Sequence, residues 1–535
     1  MTEQAQTQQP TITPSPYRTV DTAFALLSVL FAFFFLKYTM GVTAGVGLSI
    51  LTALFLCATY LYAGVKKQPV SVASVLWAAI IVIFSLTYTI TANGFLRGWC
   101  VFFQLLAVCY WIFVTFGNRA GKCADDMLGF DLIKSLFVLP FGNMHHFFGT
   151  LAHSSKNNKS ARGILYVFVG LLSAIIPTAI VYALLSSGDK AFSNLLDHLF
   201  SGTGDAIGNN IGLCFLAFPF GLLIFGLLYG ASIKAFPESM TREGKEQLTQ
   251  SLRFASPVIT CAALTPMLGI YLLFFISQAP YYLCAFANLK PEGYSYAEYA
   301  RDGFFNLCGV CFVNALVILV VHFLTKRTGK HGYAIPAKIF IILFSLSSIV
   351  LAVIALRKMV MYIDQYGLTL LRVYASWFMV LLSIFFLILI VKQFVHKLNG
   401  IFCALVAFLI LFGGLCLCNV DARIAEYNIN HYLSGDLEEL DFYMLRNDLS
   451  DSAILVVDEA YDRFDEETKK RAHQIFFEPQ AIELSENLTE QYYYEQYYSF
   501  RSWNSESAAA LRILKARCPE RFASDDLYTP YGWAW

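Results

Sequence analysis

Residues 400–418 read GIFCALVAFLILFGGLCLC, a run without a single charged side chain. A helix of about 20 such residues spans the hydrocarbon core of a bilayer. Directly after this run the chain turns acidic, with NVDARIAEYNI at 419–429. Residues 1–418 carry 27 Lys and Arg against 15 Asp and Glu, whereas residues 419–535 carry 11 against 23. The zero net charge of the chain therefore hides a basic membrane part and an acidic part that follows it.

The run at 400–418 is the last of eleven predicted membrane spans. Charged residues make up 14% of the chain, against about 25% in an ordinary soluble protein. We predict an all-α polytopic bundle over 20–418, a disordered cytoplasmic tail at 1–19 and an acidic, mainly helical exoplasmic domain at 419–535. The predicted spans are 20–38, 42–64, 71–91, 98–117, 163–185, 209–231, 256–279, 303–325, 336–356, 369–391 and 400–418.

Basic residues are unevenly shared between the two sides of the predicted bundle. Nineteen Lys and Arg lie on the side of the N-terminal tail and eight on the other side. Because basic residues concentrate in cytoplasmic loops, we expect a cytoplasmic N-terminus and, with an odd number of spans, an exoplasmic C-terminal domain. An even number would reverse the side of that domain. Residues 125–153, which are apolar but broken by Asp131, Lys134 and Pro140, are expected to form a helical segment in the cytoplasmic interface.

Charged and polar residues gather in three segments at the predicted outer ends of the spans. Charges at membrane depth are costly, so they tend to be paired and functional. In one interpretation Arg301 and Arg372 pair with acidic neighbours and lock helix ends together. In the other they form an outward-facing pocket for an anionic ligand, since Arg offers a planar fork to carboxylate or phosphate. The candidate residues for either role are Asp189, Glu298, Arg301, Asp302, Arg357, Tyr362, Asp364, Tyr366 and Arg372.

The acidic domain shows apolar residues at helical spacing, separated by polar turns. One packed face is expected from Leu440, Tyr443, Leu445 and Leu449. The predicted helices cover 421–432, 438–445, 452–461, 466–477 and 507–515.

Several stretches resemble a bacterial membrane-protein family known only as domain-of-unknown-function family 4173, which has a relative numbered 4153. The two hallmark stretches are YAEYARDGFF at 296–305 and YIDQYGLTLLRVYASWFM at 362–379. FVLPFGN at 137–143, SSGDKAF at 186–192 and NVDARIAEYNI at 419–429 fit the same family. Two positions depart from its pattern: Asp302 stands where a second Arg is common, and Val420 where Pro is usual. The resemblance implies an integral membrane protein of a bacterium and supplies no reaction, substrate or catalytic residue.

No catalytic or cofactor motif is present, and we expect no catalytic residue, cofactor or metal site. The CxxC spacing of Cys308 and Cys311 lacks partner ligands in the sequence, so packing is the preferred interpretation there. Nucleic-acid binding is disfavoured because the only soluble domain is acidic. We expect a multi-pass protein of the bacterial plasma membrane that is not an enzyme and that binds an envelope protein or a small anionic molecule as a sensor or scaffold. The alternatives are a secondary transporter of a small anionic solute and a membrane enzyme acting on a lipid-linked substrate.

Overall fold

The computed structural model describes twelve stretches of the chain. They are 17–40, 44–119, 127–157, 181, 185, 204–235, 250–251, 253–286, 296–326, 335–395, 397–477 and 502–519.

Helices account for the membrane part of the described chain. Its helices are α1 (Thr19–Thr39), α2 (Val46–Val65), α3 (Val72–Ser85), α4 (Thr87–Ile90), α5 (Gly94–Thr115), α6 (Leu128–Ile133), α7 (Leu139–Asn143), α8 (His146–Asn157), α9 (Gly204–Ile233), α10 (Pro257–Phe286), α11 (Tyr296–Leu324), α12 (Ile335–Tyr366), α13 (Leu370–Phe394) and α14 (Gly400–Leu417). A π-helical turn, Lys134–Val138, joins α6 to α7. Side-chain oxygens of Ser71, Asn93, Thr369 and Asn399 cap the first turns of α3, α5, α13 and α14, which fixes where these spans begin.

The predicted polytopic helical class is confirmed. Nine helical segments of the described chain are long and apolar enough to cross a membrane. They correspond to nine of the predicted spans. The predicted span 303–325 overlaps α11, whose apolar stretch Asn306–His322 is shorter than the nine segments above. Apart from Val181 and Leu185, the predicted span 163–185 lies outside the described residues, so the total of eleven stays a prediction.

Two buried clusters organise the membrane helices. The first packs residues of α2, α3 and α5 with the end of α9 and with Phe412 and Cys416 of α14. The second joins α10, α11, α12 and α13 through residues such as Leu264, Leu307 and Phe344. A third cluster forms the core of the C-terminal domain, and Leu368, Leu370 and Val373 at the start of α13 pack against it. Apolar packing therefore continues from the bundle into that domain.

The N-terminal end of α1 and the C-terminal domain lie at opposite ends of the bundle. Near the start of α1, the Asp21 carboxylate forms an ion pair with Lys66, which follows α2, with 2.6 Å between Oδ1 and Nζ. At the other end of the same two helices, the Val46 amide donates to the Trp503 carbonyl at 2.9 Å. This opposition follows from direct contacts, so it does not depend on the number of spans.

The segment predicted for the membrane interface is helical and lies at the Asp21 end of the bundle. The Thr22 hydroxyl donates to the Thr150 carbonyl at 3.2 Å, which ties the segment to α1. Its buried face includes an ion pair of 3.3 Å between Asp131 and Lys134. Its outer face carries an apolar stripe at helical spacing, formed by Ile133, Phe137, Phe141, Met144 and Phe148. Such a face suits contact with lipid near the headgroups.

In residues 419–477 and 502–519, which the structure describes, the C-terminal domain contains five short α-helices close to the predicted positions. They are α15 (Val420–Ser434), α16 (Phe442–Asn447), α17 (Ser452–Ala460), α18 (Glu466–Phe476) and α19 (Ser505–Arg517). The expected packed face is correct for Leu440, Leu445 and Leu449, which are buried, but wrong for Tyr443, which is exposed. The Asp441 side chain caps α16, so this helix starts later than expected and turns Phe442 inward in place of Tyr443.

Candidate functional site at the membrane junction

The predicted polar cluster is only partly described by the structure. Asp189 lies outside the described residues, and so do the side chains of Glu298, Arg301 and Asp302, whose backbone forms the first turns of α11. The remaining members lie where α12 ends and α13 begins. These are Arg357, Tyr362, Asp364, Tyr366 and Arg372.

Arg372 holds the end of α12. Its guanidinium lies over the Tyr362 ring, 4.0 Å from the centroid, and donates to the carbonyl oxygens of Tyr366 and Gly367. A cation at a helix C-terminus satisfies free carbonyls and is attracted by the helix dipole. Among the described residues, its hydrogen bonds go to these carbonyls and not to Asp364. Arg372 thus contacts the end of α12 through backbone oxygens and not through the acidic partner expected, and both interpretations of the cluster stay predictions.

The turn between α12 and α13 is held by the C-terminal domain. The amide side chain of Asn428, on α15, accepts from the Leu368 backbone N–H at 2.6 Å and donates to the Leu368 carbonyl at 2.8 Å. Gly367 has a φ of +74°, and a Cβ atom there would lie 2.5 Å from Asn428 Oδ1. Glycine is needed at this position both for its conformation and for the close approach of α15.

A second link joins the start of α5 to α15. The Asn93 amide group donates to Asp421 Oδ1 at 2.7 Å and to the Tyr374 hydroxyl at 3.1 Å. The Ser450 backbone N–H donates to Asp421 Oδ2 at 2.8 Å. Asp421 and Asn93 are both buried. Three sequence regions therefore meet at one carboxylate.

Glu506, on α19, makes the third link. Its Oε2 accepts from the Ala92 backbone N–H at 2.8 Å, from the Ser450 hydroxyl at 3.1 Å and from the Thr91 hydroxyl at 3.3 Å. Its Oε1 is buried with no hydrogen-bond partner in the described part of the chain. Arg97 braces the same loop, because its Nε donates to the Thr91 carbonyl at 2.5 Å.

Burial changes the acid–base behaviour of both carboxyl groups. The pKa of Glu506 is raised to about 6, mainly by desolvation and also by the nearby Asp421 charge, while hydrogen bonds from Ala92 and Ser450 oppose the shift. The pKa of Asp421 is also raised by burial, against the hydrogen bonds from Ser450 and Asn93. A carboxyl group whose second oxygen has no donor is better kept as the acid when buried. We call the meeting point of the membrane helices and the C-terminal domain, formed by Asn93, Asp421, Ser450 and Glu506, the junction. Burial at the junction therefore favours the protonated form of both carboxyl groups.

Apart from the junction, the C-terminal domain has a cleft that is open to solvent. The cleft has a volume of about 410 Å³, within the usual range for small-ligand sites. Arg471 at its edge forms ion pairs with Glu439 at 3.2 Å and Glu467 at 3.3 Å. The lining residues are Tyr432, Glu438, Glu439, Leu440, Phe442, Thr468 and Arg471. The cleft could bind a small molecule or a segment of a partner protein. Its lining residues do not bring a nucleophile and a base together.

Sequence reasoning did not find the junction carboxylates. Asp421 and Asn428 lie in NVDARIAEYNI, which was noted only for its resemblance, and Tyr374 and Gly367 lie in the hallmark stretch 362–379. The available sequence signal was that both stretches resemble the same family. Glu506 has no such signal, because its partners at Thr91 and Ala92 lie more than 400 positions away, a separation of 415 for the Thr91 contact.

A family model described as "Domain of unknown function (DUF4153)" matches residues 78–460. The match runs from within α3 to the end of α17 and takes in both stretches that meet at the junction. It names the relative that the sequence motifs suggested, and membership of family 4173 itself is not confirmed. No curated protein and no solved structure matches the chain.

Proposed function

Because the chain belongs to the DUF4153 family, whose description assigns no activity, we propose a function from its geometry: a binding or sensing scaffold of the bacterial plasma membrane. In this proposal the exoplasmic C-terminal domain recognises an envelope component at the cleft lined by Arg471, and the junction passes binding on to the membrane helices. The observation that carries the proposal is the buried hydrogen-bond network of Asn93, Asp421, Ser450 and Glu506. These hydrogen bonds tie the domain to the helix ends.

The distribution of basic residues supports the proposed orientation. Exposed or partly exposed basic residues cluster at the bundle end that holds Asp21, and basic residues favour the cytoplasmic side. The C-terminal domain is at the other end, and in this proposal it is exoplasmic. The basic residues at the Asp21 end include Arg18, Lys66, Lys67, Arg119, Lys234, Lys326, Lys392 and Lys397.

The test is complementation of a strain that lacks the gene, scored by survival under envelope stress. The full chain carrying Arg471→Glu should reach the membrane at normal abundance yet fail to complement, because it reverses the charge at the cleft. Arg423→Glu is the matched control, since Arg423 is also an exposed arginine of this domain, paired with Glu426 at 2.8 Å and absent from the cleft lining.

Complementation by both variants would overturn the proposal. That result would favour transport through the bundle, which does not require the cleft. Failure of both variants at normal abundance would also contradict recognition at the cleft, because the effect would follow any charge reversal on the domain.

A further inference from the structure

Two sulfur atoms meet inside the second helix cluster, and a third lies one helical turn away. Cys308 and Cys311 lie one turn apart on α11, and Met379 lies on α13. The Sγ atom of Cys308 is 3.1 Å from the Sδ atom of Met379. Cys311 and Met379 are completely buried, and Cys308 is partly buried. The structure thus supplies the partner that the CxxC spacing lacks in the sequence.

These sulfurs lie near the middle of the proposed membrane. Met379 is nine residues beyond Leu370, the first residue of α13, which is roughly 14 Å along a helix that rises about 1.5 Å per residue. Half of a hydrocarbon core of about 30 Å is a similar distance. An ion at this depth would have to be compensated by its ligands, because an uncompensated charge in hydrocarbon is costly.

The surroundings of the sulfurs are more polar than packing alone requires. Cys311 Sγ donates to the Ser348 carbonyl at 3.4 Å, and Asn314 Nδ2 donates to the Ser348 hydroxyl at 2.8 Å. The Tyr271 hydroxyl donates to Asn314 Oδ1. One turn from Ser348, the Ser345 hydroxyl is buried with no hydrogen-bond partner among the described residues. A buried polar group without a partner in a native bundle calls for an explanation.

The ligand types select the metal. Thiolate and thioether sulfur favour the soft ion Cu(I) over ions that prefer imidazole or carboxylate. Within the described part of the chain, no group of three or more His, Cys, Asp or Glu residues could hold a metal, and the third ligand at this site is a methionine. Binding of Cu(I) would release a proton from a thiol. With one thiolate, one thioether and the other cysteine kept as a neutral thiol, the Cu(I) site is neutral overall, which suits a position inside the bilayer.

We propose that Cys308, Cys311 and Met379 form an intramembrane site for Cu(I), a property beyond the binding function proposed above. Cu(I) binds as such, so no oxidant or reductant takes part. The partly buried Cys308 lies at the accessible edge of the site and supplies the thiolate, and Met379 completes the coordination from α13. The Cys311 thiol stays protonated one turn along α11, where it donates to the Ser348 carbonyl.

The experiment is a competition for Cu(I) between the full-length purified protein and bicinchoninate under ascorbate. The wild-type chain should retain one Cu(I) per protein. Met379→Leu, a volume-conserving change, should weaken the affinity at least about tenfold, because even outer partners of metal ligands are worth 10–100-fold. The double variant Cys308→Ala, Cys311→Ala should lose the ion.

Two matched controls should bind as the wild type does. Met359→Leu removes a thioether from the same buried cluster, and Cys403→Ala removes a thiol from α14. Absence of bound Cu(I) in the wild type would overturn the proposal. So would undiminished binding by the double variant, which would assign the ion to exposed thiols such as Cys57, Cys214 and Cys418. If the double variant loses helicity by circular dichroism, the Met379→Leu affinity decides the result.

Discussion

At the scale of single residues, the carboxyl group of Glu506 makes docking of the C-terminal domain depend on pH. Its pKa in the folded chain is about 6, above the ordinary value of 4.5, so the folded state binds the proton more tightly than the unfolded state. The contribution of Glu506 to stability should therefore be greatest below about pH 4.5 and fall by about 2 kcal/mol as the pH rises through about 6. Asp421, whose pKa is also raised, contributes in the same direction.

The change Glu506→Gln should reduce this pH dependence and raise the thermal unfolding midpoint at pH 8, since an amide has no charge to bury. The measurement is the unfolding midpoint of the purified chain between pH 4.5 and 8. Glu439→Gln is the control, because Glu439 is an exposed acid of the same domain and its loss should leave the slope unchanged. A slope that is identical in wild type and Glu506→Gln would rule out this role.

The sequence indicates which residue needs a compensating partner, but not which atoms provide it. Arg372 stands out in the sequence because a charge at membrane depth is costly, and its guanidinium does find partners in the structure. Its carbonyl partners at Tyr366 and Gly367 could not be read from the sequence, because a backbone oxygen is present at every position. Its stacking on Tyr362 follows from the fold of the turn between two helices.

At the scale of elements, the turn between α12 and α13 depends on Gly367. Alanine there would meet a positive φ of +74° and the Asn428 side chain at 2.5 Å. We expect Gly367→Ala to destabilise the folded chain by about 1–3 kcal/mol. The measurement is the thermal unfolding midpoint, together with release of the C-terminal domain by limited proteolysis.

Gly414→Ala is the matched control for that change. Gly414 lies in α14, and a Cβ atom added there would meet no neighbouring atom within 4 Å, so alanine should leave the unfolding midpoint unchanged or slightly higher. Equal midpoints for the two alanine variants would show that the turn does not need glycine.

The helices themselves were largely predictable, whereas their junction was not. An apolar run of sufficient length defines a span locally, as residues 400–418 do. The links from Asn93 to Asp421 and from Thr91 to Glu506 join positions 328 and 415 residues apart. No local pattern encodes such contacts, because they exist only when the whole bundle has been assembled.

At the scale of the whole molecule, the two ends of the bundle carry different chemistry. The Asp21 end combines basic residues with the apolar stripe of Ile133, Phe137 and Phe148. The other end carries the junction and the acidic domain. The charge split at Cys418 thus corresponds to two spatially separate faces, which the contacts Asp21–Lys66 and Val46–Trp503 establish without a count of spans.

The most direct measurement of the proposed orientation is the sidedness of two engineered cysteines in intact cells, in a chain whose exposed native cysteines have been replaced. Tyr443→Cys lies on the exposed surface of the C-terminal domain, and Lys397→Cys is exposed at the Asp21 end. A membrane-impermeant maleimide should label Tyr443→Cys in intact cells and Lys397→Cys only after permeabilisation. The reverse pattern would place the C-terminal domain in the cytoplasm, and labelling of both in intact cells would contradict the opposition of the two ends.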